Sequence, residues 1–286
     1  MTTETEVRPF GRSDVGWRPI GGEASPLRVA VFDLVEGIRR WYLWTHLGWH
    51  DIRQRYRRSI IGPFWVTLSM AFLVLALGFV YSGLFRENVA TLLPYLAGGF
   101  IFWGFISVSI NESCVAFTTS ENVIRQTPMP LVVHVLRVIA RNFVILLHNL
   151  AIWVAVAIWF AIPPTFETLL AIPGIFLVCV NLAWVGLILA IVCARFRDVV
   201  QIVSNVVQIA FFVTPLLWRA DYVDRGRFFL VESNPFHHLL AVSRDPLLGV
   251  APSPESWLFC GVMAILGWLV AVAVFLRCRR FVPYWL

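Results

Sequence analysis

The chain has 286 residues, 59% of them hydrophobic and only 14% charged, where a soluble domain carries roughly 25% charged residues. All 23 basic residues are arginine, set against 17 acidic ones for a net charge of +6. These cations sit at the ends of apolar runs, so membrane orientation accounts for them and nucleic acid is not expected as a partner.

Residues 1–25 are polar, with proline, glycine and several charges. They are expected to form a flexible cytoplasmic tail rather than a cleavable signal peptide, because the first long apolar run comes too late. Residues 26–58 form the next unit, an amphipathic helix followed by a basic segment. Leu27, Val31, Leu34, Ile38 and Tyr42 recur at steps of three and four, with Glu36, Arg39 and Arg40 off that stripe. Trp41, Trp44 and Trp49 add aromatic anchors. Such a helix lies along the inner interface of a membrane instead of crossing it.

The segment Asp51-Ile-Arg-Gln-Arg-Tyr-Arg-Arg58 then places four cations in eight residues, and residues 59–85 follow as 27 consecutive uncharged positions. A helical crossing of the bilayer core needs about 20 apolar residues. Six charge-free intervals meet that length: 59–85, 88–111, 142–166, 168–194, 199–218 and 256–276. Residues 59–286 therefore read as a six-span transmembrane domain. With residues 1–58 inside, the inner connections and tail hold Arg125, Arg137, Arg141, Arg195, Arg197, Arg277, Arg279 and Arg280, and six more arginines lie between Arg39 and Arg58. The outer connections hold only Arg86, Arg219, Arg225, Arg227 and Arg244. This bias places both termini in the cytoplasm.

Two connections are unusual. Before the third interval, His134, Arg137, Arg141 and His148 follow helical steps, so residues 131–141 read as a second interfacial helix; its histidines make a polar face rather than a metal site. Between the fifth and sixth intervals, residues 219–255 mix charge with apolar clusters such as Phe228-Phe-Leu-Val231. Short re-entrant helices fit there, since backbone at membrane depth must be shielded by protein or line a cavity. The expected fold is an all-α integral membrane protein of six transmembrane helices.

The chemistry is mostly one of absences. A phosphate-binding P-loop needs its lysine, and the chain has no lysine. Ion-coupled transporters place ionisable groups within their spans, yet the apolar intervals contain no Asp, Glu, Lys or Arg, with Glu112 only at a boundary. Uphill transport by this chain would need energy from a partner. No catalytic constellation is visible: His237-His238 with Asp245, and His134 with Glu121, are isolated pairs, so no catalytic residues are assigned. The five cysteines (Cys114, Cys179, Cys193, Cys260 and Cys278) lack metal-ligand spacing and read as packing residues. Aromatics cluster on the first two spans, including Trp65, Phe72, Phe79, Tyr81 and Phe85, then Tyr95, Phe100, Phe102, Trp103 and Phe105. They suit either interface and core packing or a channel wall on which the C–H faces of sugar rings could lie.

Five segments in order resemble the membrane subunits of polysaccharide-exporting ABC transporters. They are Trp49-His-Asp-Ile-Arg-Gln-Arg-Tyr-Arg-Arg-Ser-Ile-Ile-Gly-Pro-Phe-Trp65, Glu121-Asn-Val-Ile-Arg-Gln-Thr-Pro-Met-Pro-Leu131, Ala194-Arg-Phe-Arg-Asp-Val-Val-Gln-Ile202, Phe211-Phe-Val-Thr-Pro-Leu-Leu-Trp218 and the region from Asn234-Pro235 to Arg244-Asp-Pro-Leu-Leu-Gly249. The resemblance runs from about residue 30 to the end. It implies a homodimer in a bacterial inner membrane, working with two copies of a separate ATPase subunit that binds the ATP and Mg; this chain would carry no cofactor. It also implies a polyprenyl-diphosphate-linked glycan, such as O-antigen, as cargo.

Within that frame Glu121, Asn122, Val123, Ile124, Arg125, Gln126, Pro128 and Pro130 would couple to the ATPase. Arg55, Arg57 and Arg58 would attract the lipid diphosphate. Trp65, Phe72, Tyr81, Phe102 and Trp103 would line the glycan channel, and Asn234, Pro235, Phe236, Arg244 and Asp245 would form an outer gate. The alternatives are an ABC permease for a small hydrophobic drug or lipid, a membrane scaffold without transport, and a membrane-embedded transferase.

Overall fold

A computed structural model describes residues 26–57, 64–85, 88–127, 129–218 and 228–286. The tail 1–25, Arg58 and Pro128 lie outside the described residues. Every regular element among the described residues is helical.

Helices α1 (Pro26–Arg39) and α2 (Trp41–Arg55) meet at Arg40, whose φ of −80° and ψ of 52° leave the helical region. The expected interfacial helix is therefore two helices in series. Of its apolar stripe, Val31, Ile38 and Tyr42 are exposed and Leu34 packs in part against the core, while Ala30 and Asp33 turn inward and are buried. That inversion suits a helix whose outer face meets lipid. Gly37 allows the close approach: a Cβ there would lie 3.1 Å from the Cβ of Val132.

Helix α3 (Phe64–Phe85) is peripheral. Helix α4 (Val89–Cys114) is central, with Leu96, Ala97, Phe102 and Ile106 fully buried. Asn88 starts α4 by accepting a hydrogen bond from the Ala90 backbone N–H at 2.9 Å, an N-cap. A short 3₁₀ turn (Thr118–Ser120) leads into α5 (Glu121–Gln126). Then come α6 (Val132–Trp159), α7 (Ala171–Arg195), α8 (Val199–Val213), α9 (Phe228–Glu232), α10 (Pro235–Arg244), α11 (Pro254–Cys278) and α12 (Val282–Trp285). Helix α4 packs against α3, α6 and α7, while α11 packs on α7 and α2 on α6.

Five helices among the described residues are long and apolar enough to cross a membrane: α3, α4, α6, α7 and α11, the last two extended by flanking short turns. Helix α8 has 15 residues. At 1.5 Å per residue it reaches about 22 Å, short of a hydrocarbon core of about 30 Å. The interval 199–218, expected to be one full crossing, is cut short at Thr214, which adopts an extended φ of −80° and ψ of 138° before Pro215. A residue preceding proline is driven out of the helical region by its ring.

Helix α6 corrects the expectation of a separate interfacial helix over residues 131–141. It runs unbroken from Val132 to Trp159, with neither glycine nor proline to interrupt it, and carries Arg137 and Arg141 within the spanning helix. Their charges are met by carboxylates of neighbouring helices.

Close packing joins the remaining helices. Asn181 on α7 donates to the Cys260 carbonyl of α11 at 3.2 Å and accepts from the Trp184 indole at 3.0 Å. The Trp268 indole donates back to the Val180 carbonyl at 3.2 Å. Small residues permit such approaches between membrane helices, and Gly267 is the extreme case: a Cβ there would sit 2.1 Å from an indole carbon of Trp184. Helices α9 and α10 occupy the stretch where short re-entrant helices were expected.

Candidate functional site

The arginine-rich end of the bundle holds a charge network drawn from three helices. Asp51 of α2 accepts from Arg137 Nε at 2.6 Å, from the same guanidinium's Nη2, and from Arg141 Nη1 at 3.2 Å. Glu112, near the end of α4, accepts from Arg55 Nη2 at 2.8 Å, from Arg141 and from Asn142 Nδ2 at 2.9 Å. Arg141 thus bridges both carboxylates. Gly48 brings α2 against α6 at this level, since a Cβ there would meet the Arg137 carbonyl oxygen at 3.1 Å. Of the three arginines expected to meet a lipid diphosphate, Arg55 is already paired with Glu112, Arg57 is exposed, and Arg58 lies outside the described residues.

Helix α5 hangs from this end. None of its residues is buried, Val123 is 38% exposed, and its one ion pair is internal, Arg125 to Glu121 at 3.0 Å. Within this chain Ile124 packs in part against the core, and Asn122, Val123, Arg125 and Gln126 are exposed. The chain on its far side is anchored firmly. Pro130 is buried, and the Leu131 N–H donates to Asp33 of α1 at 2.8 Å. The other oxygen of Asp33 accepts from Arg279 Nε at 2.7 Å. Burial pushes the Asp33 carboxyl above its ordinary range, against the opposing pull of Arg279 and the backbone N–H groups. Helix α12 packs beside α5, so one carboxylate ties α1, the start of α6 and the C-terminal segment around it.

The opposite end is organised by Arg244. It is 4% exposed; its Nη1 donates to the Pro215 carbonyl at 3.0 Å and its Nε to Asp245 at 3.0 Å. The guanidinium lies 4.2 Å from the centre of the Tyr95 ring, a cation–π contact. Tyr95 in turn donates to the carbonyls of Pro215 and Trp218. Asn234 caps α10 by accepting from the Phe236 N–H at 2.9 Å and donates to Thr214 Oγ1 at 2.9 Å. The backbone freed where α8 ends is thereby satisfied by side chains of α4 and α10. Of the residues expected at an outer gate, Asn234, Arg244 and Asp245 belong to this cluster. Phe236 packs on Trp103, with ring centres 5.4 Å apart, and Pro235 is exposed.

The expected channel aromatics do not share one surface. Phe102 is fully buried, and Trp103 is buried beneath Phe211 and Phe236; these two are interior packing residues of the subunit, because α4 is its central helix. Tyr81 is half-buried. Trp65 and Phe72 are exposed, and with Phe79 they recur every seven residues along α3, a spacing that keeps them near one face. Sequence reasoning missed Asp51, Arg137, Arg141 and Asn142 as a unit, and Tyr95 and Thr214 at the far end. The spacing of Arg137 and Arg141 on one helical face was a usable signal; their carboxylate partners, distant in the chain, were not.

A profile of the family described as ABC-2 type transporter matches residues 42–248, from α2 through the Arg244 cluster. Over 196 residues the chain is 21% identical to an O-antigen export system permease protein RfbA of Klebsiella pneumoniae, covering 68% of this chain and 76% of that protein. A second RfbA protein of the same species is 20% identical over 223 residues, covering 78% and 85%. An RfbA protein of Myxococcus xanthus is 23% identical over 193 residues, covering 66% and 74%.

Proposed function

Because the chain belongs to the ABC-2 type transporter family, we propose that it is the membrane subunit of an ATP-driven exporter of a polyprenyl-diphosphate-linked polysaccharide, an O-antigen or a related cell-surface glycan. The names of its relatives as O-antigen export permeases support the cargo class. In this reading two copies form the pore and pair with two ATPase subunits, which bind ATP and Mg. The chain sits in the inner membrane of a bacterium with both termini cytoplasmic. The short α8 together with residues to 218 serves as the fifth of six crossings.

The observation that carries the coupling role is α5, a short helix with no buried residue, followed by a turn that Asp33 fixes to α1 and, through Arg279, to the C-terminal segment. Force applied by an ATPase to Glu121–Gln126 would pass into α4 and α6 rather than dissipate in a loose loop. Arg57 and the exposed side of Arg55, with Arg58, would draw the diphosphate to the entrance. Trp65 and Phe72 of α3 would offer apolar rings along the glycan path.

The test is ATP hydrolysis by this chain co-purified with its ATPase in lipid, with and without polyprenyl-linked glycan. Hydrolysis that responds to the glycan, and loses that response in Val123→Asp, supports coupled export. A stable complex that responds to a small lipid or drug but not to glycan would replace the cargo. A chain that forms no ATPase complex would overturn the reading in favour of a scaffold.

A further inference from the structure

Helix α12 (Val282–Trp285) is four residues long, too short to keep its shape without packing. Its inner side supplies that packing, since Val282 is fully buried and Leu286 is 8% exposed. Trp285 stacks on Phe281 with ring centres 5.9 Å apart, and the guanidinium of Arg195, at the end of α7, lies 5.2 Å from the Trp285 ring centre. On this fixed base Tyr284 stands out, 85% exposed. The same guanidinium lies 5.7 Å from the ring centre of Phe196, which is also exposed.

Helix α12 packs beside both α5 and α7, so Tyr284, Phe196 and the exposed Val123 of α5 stand on adjoining elements. Arg125, Arg197 and Arg280 are exposed on the same segments, whose acidic groups are Asp198 and Glu121, the latter paired with Arg125. Apolar and aromatic groups with a polar, charged rim have the composition of a protein contact, where tyrosine and arginine are enriched. Lipid is the other setting for exposed rings. The neighbouring α5, however, exposes Asn122, Arg125 and Gln126, polar groups that gain nothing from lipid, so the continuous surface suits a protein. We propose that α12 extends the surface that α5 offers to the ATPase subunit, with Tyr284 as its anchor, and that the opposing ATPase face is acidic around an apolar pocket. This inference rests on the coupling role proposed for α5. It gives the partner a second hold on the chain, on a segment that Arg279 fastens to Asp33 of α1. Motion of the ATPase then reaches α7 and α11 as well as α4 and α6.

The experiment places the photo-crosslinker p-benzoylphenylalanine at position 284 of the full chain, co-expressed in membranes with its ATPase subunit. The expected result is a cross-link to the ATPase, matched by the same probe at position 123 and absent with the probe at position 159, an exposed site at the opposite end of α6. If position 123 reaches the ATPase while position 284 labels only phospholipid, the proposal is overturned in favour of a membrane anchor and the coupling role of α5 stands. No cross-link to the ATPase from either position would overturn both. A second measurement is the affinity of the detergent-solubilised chain for the purified ATPase. Tyr284→Ala removes an exposed ring and is expected to weaken that affinity about tenfold, roughly 1.4 kcal/mol, at an unchanged melting temperature. Tyr284→Phe should retain most of it. An affinity unchanged in Tyr284→Ala would remove Tyr284 as the anchor and with it the proposal.

Discussion

The two ends of the bundle solve the same problem, buried arginine, in opposite ways. At the far end Arg244 has a carboxylate, a carbonyl and an aromatic face around it, and α4 makes room through Gly98, where a Cβ would lie 2.9 Å from the Arg244 side chain. Nothing there is slack. At the arginine-rich end three cations share two carboxylates around an open cavity, and donors are left over. A buried charge pair is weak evidence for net stability, but breaking one strands its partner. The far end thus acts as a fixed clasp, while the arginine-rich end shares its charges, since Arg141 holds Asp51 and Glu112 together.

The sharpest way to break that contrast is Arg244→Ala. Removing it strands the half-buried Asp245 carboxylate and leaves the Pro215 carbonyl to Tyr95 alone, and the expected loss is about 3–5 kcal/mol, seen as a large drop in melting temperature in detergent. If Arg244→Ala unfolds no earlier than Arg137→Ala, the clasp does not exist. Next in size is Gly174→Ala. A Cβ there would lie 1.9 Å from the Val242 carbonyl oxygen, so α10 must lift from α7, at a cost near the upper end of about 1–3 kcal/mol for overpacking. Cross-linking between α7 and α10 would report the displacement directly.

At the arginine-rich end Asp51→Asn comes third. It removes the charge that Arg137 and Arg141 share but keeps the side-chain shape, and Glu112 remains to take Arg141. The expected loss is about 1–3 kcal/mol, less than for Arg244 because a second carboxylate stands in reserve. Equal losses for the two variants would erase the distinction between the ends.

What the sequence disclosed follows the same division. Charge-free intervals located α3, α4, α7 and α11 within a few residues, because a membrane span is a local property of composition. The start of α6 was missed because Arg137 and Arg141 look like interface residues until Asp51 and Glu112 are seen beside them. The end of α8 was legible in principle, since Pro215 stands in the middle of the interval 199–218. The exposure of Glu121–Gln126 fits its mixed polar composition. Phe102 and Trp103 were read as channel wall because an apolar ring in a spanning helix looks the same whether it faces a pore or another helix. Which face of α4 is interior depends on contacts with α6, α7 and α10, all distant in the chain.

The smallest expected effect concerns Arg55, and it sharpens the comparison most finely. Its side chain is 46% exposed, while that of Arg141 is 13% exposed, and both bind Glu112. A solvent-facing pair contributes about 0–1 kcal/mol, so Arg55→Ala should barely move the melting temperature. A double-mutant cycle separates the cases: Arg55 with Glu112 should show coupling below about 1 kcal/mol, and Arg141 with Glu112 a larger value within the 0.5–3 kcal/mol span of contacting residues, roughly speaking. If the exposed pair couples as strongly as the buried one, Arg55 is part of the structural network and is not available at the entrance. A weak coupling leaves its guanidinium free to exchange Glu112 for an arriving anion at little cost to the fold.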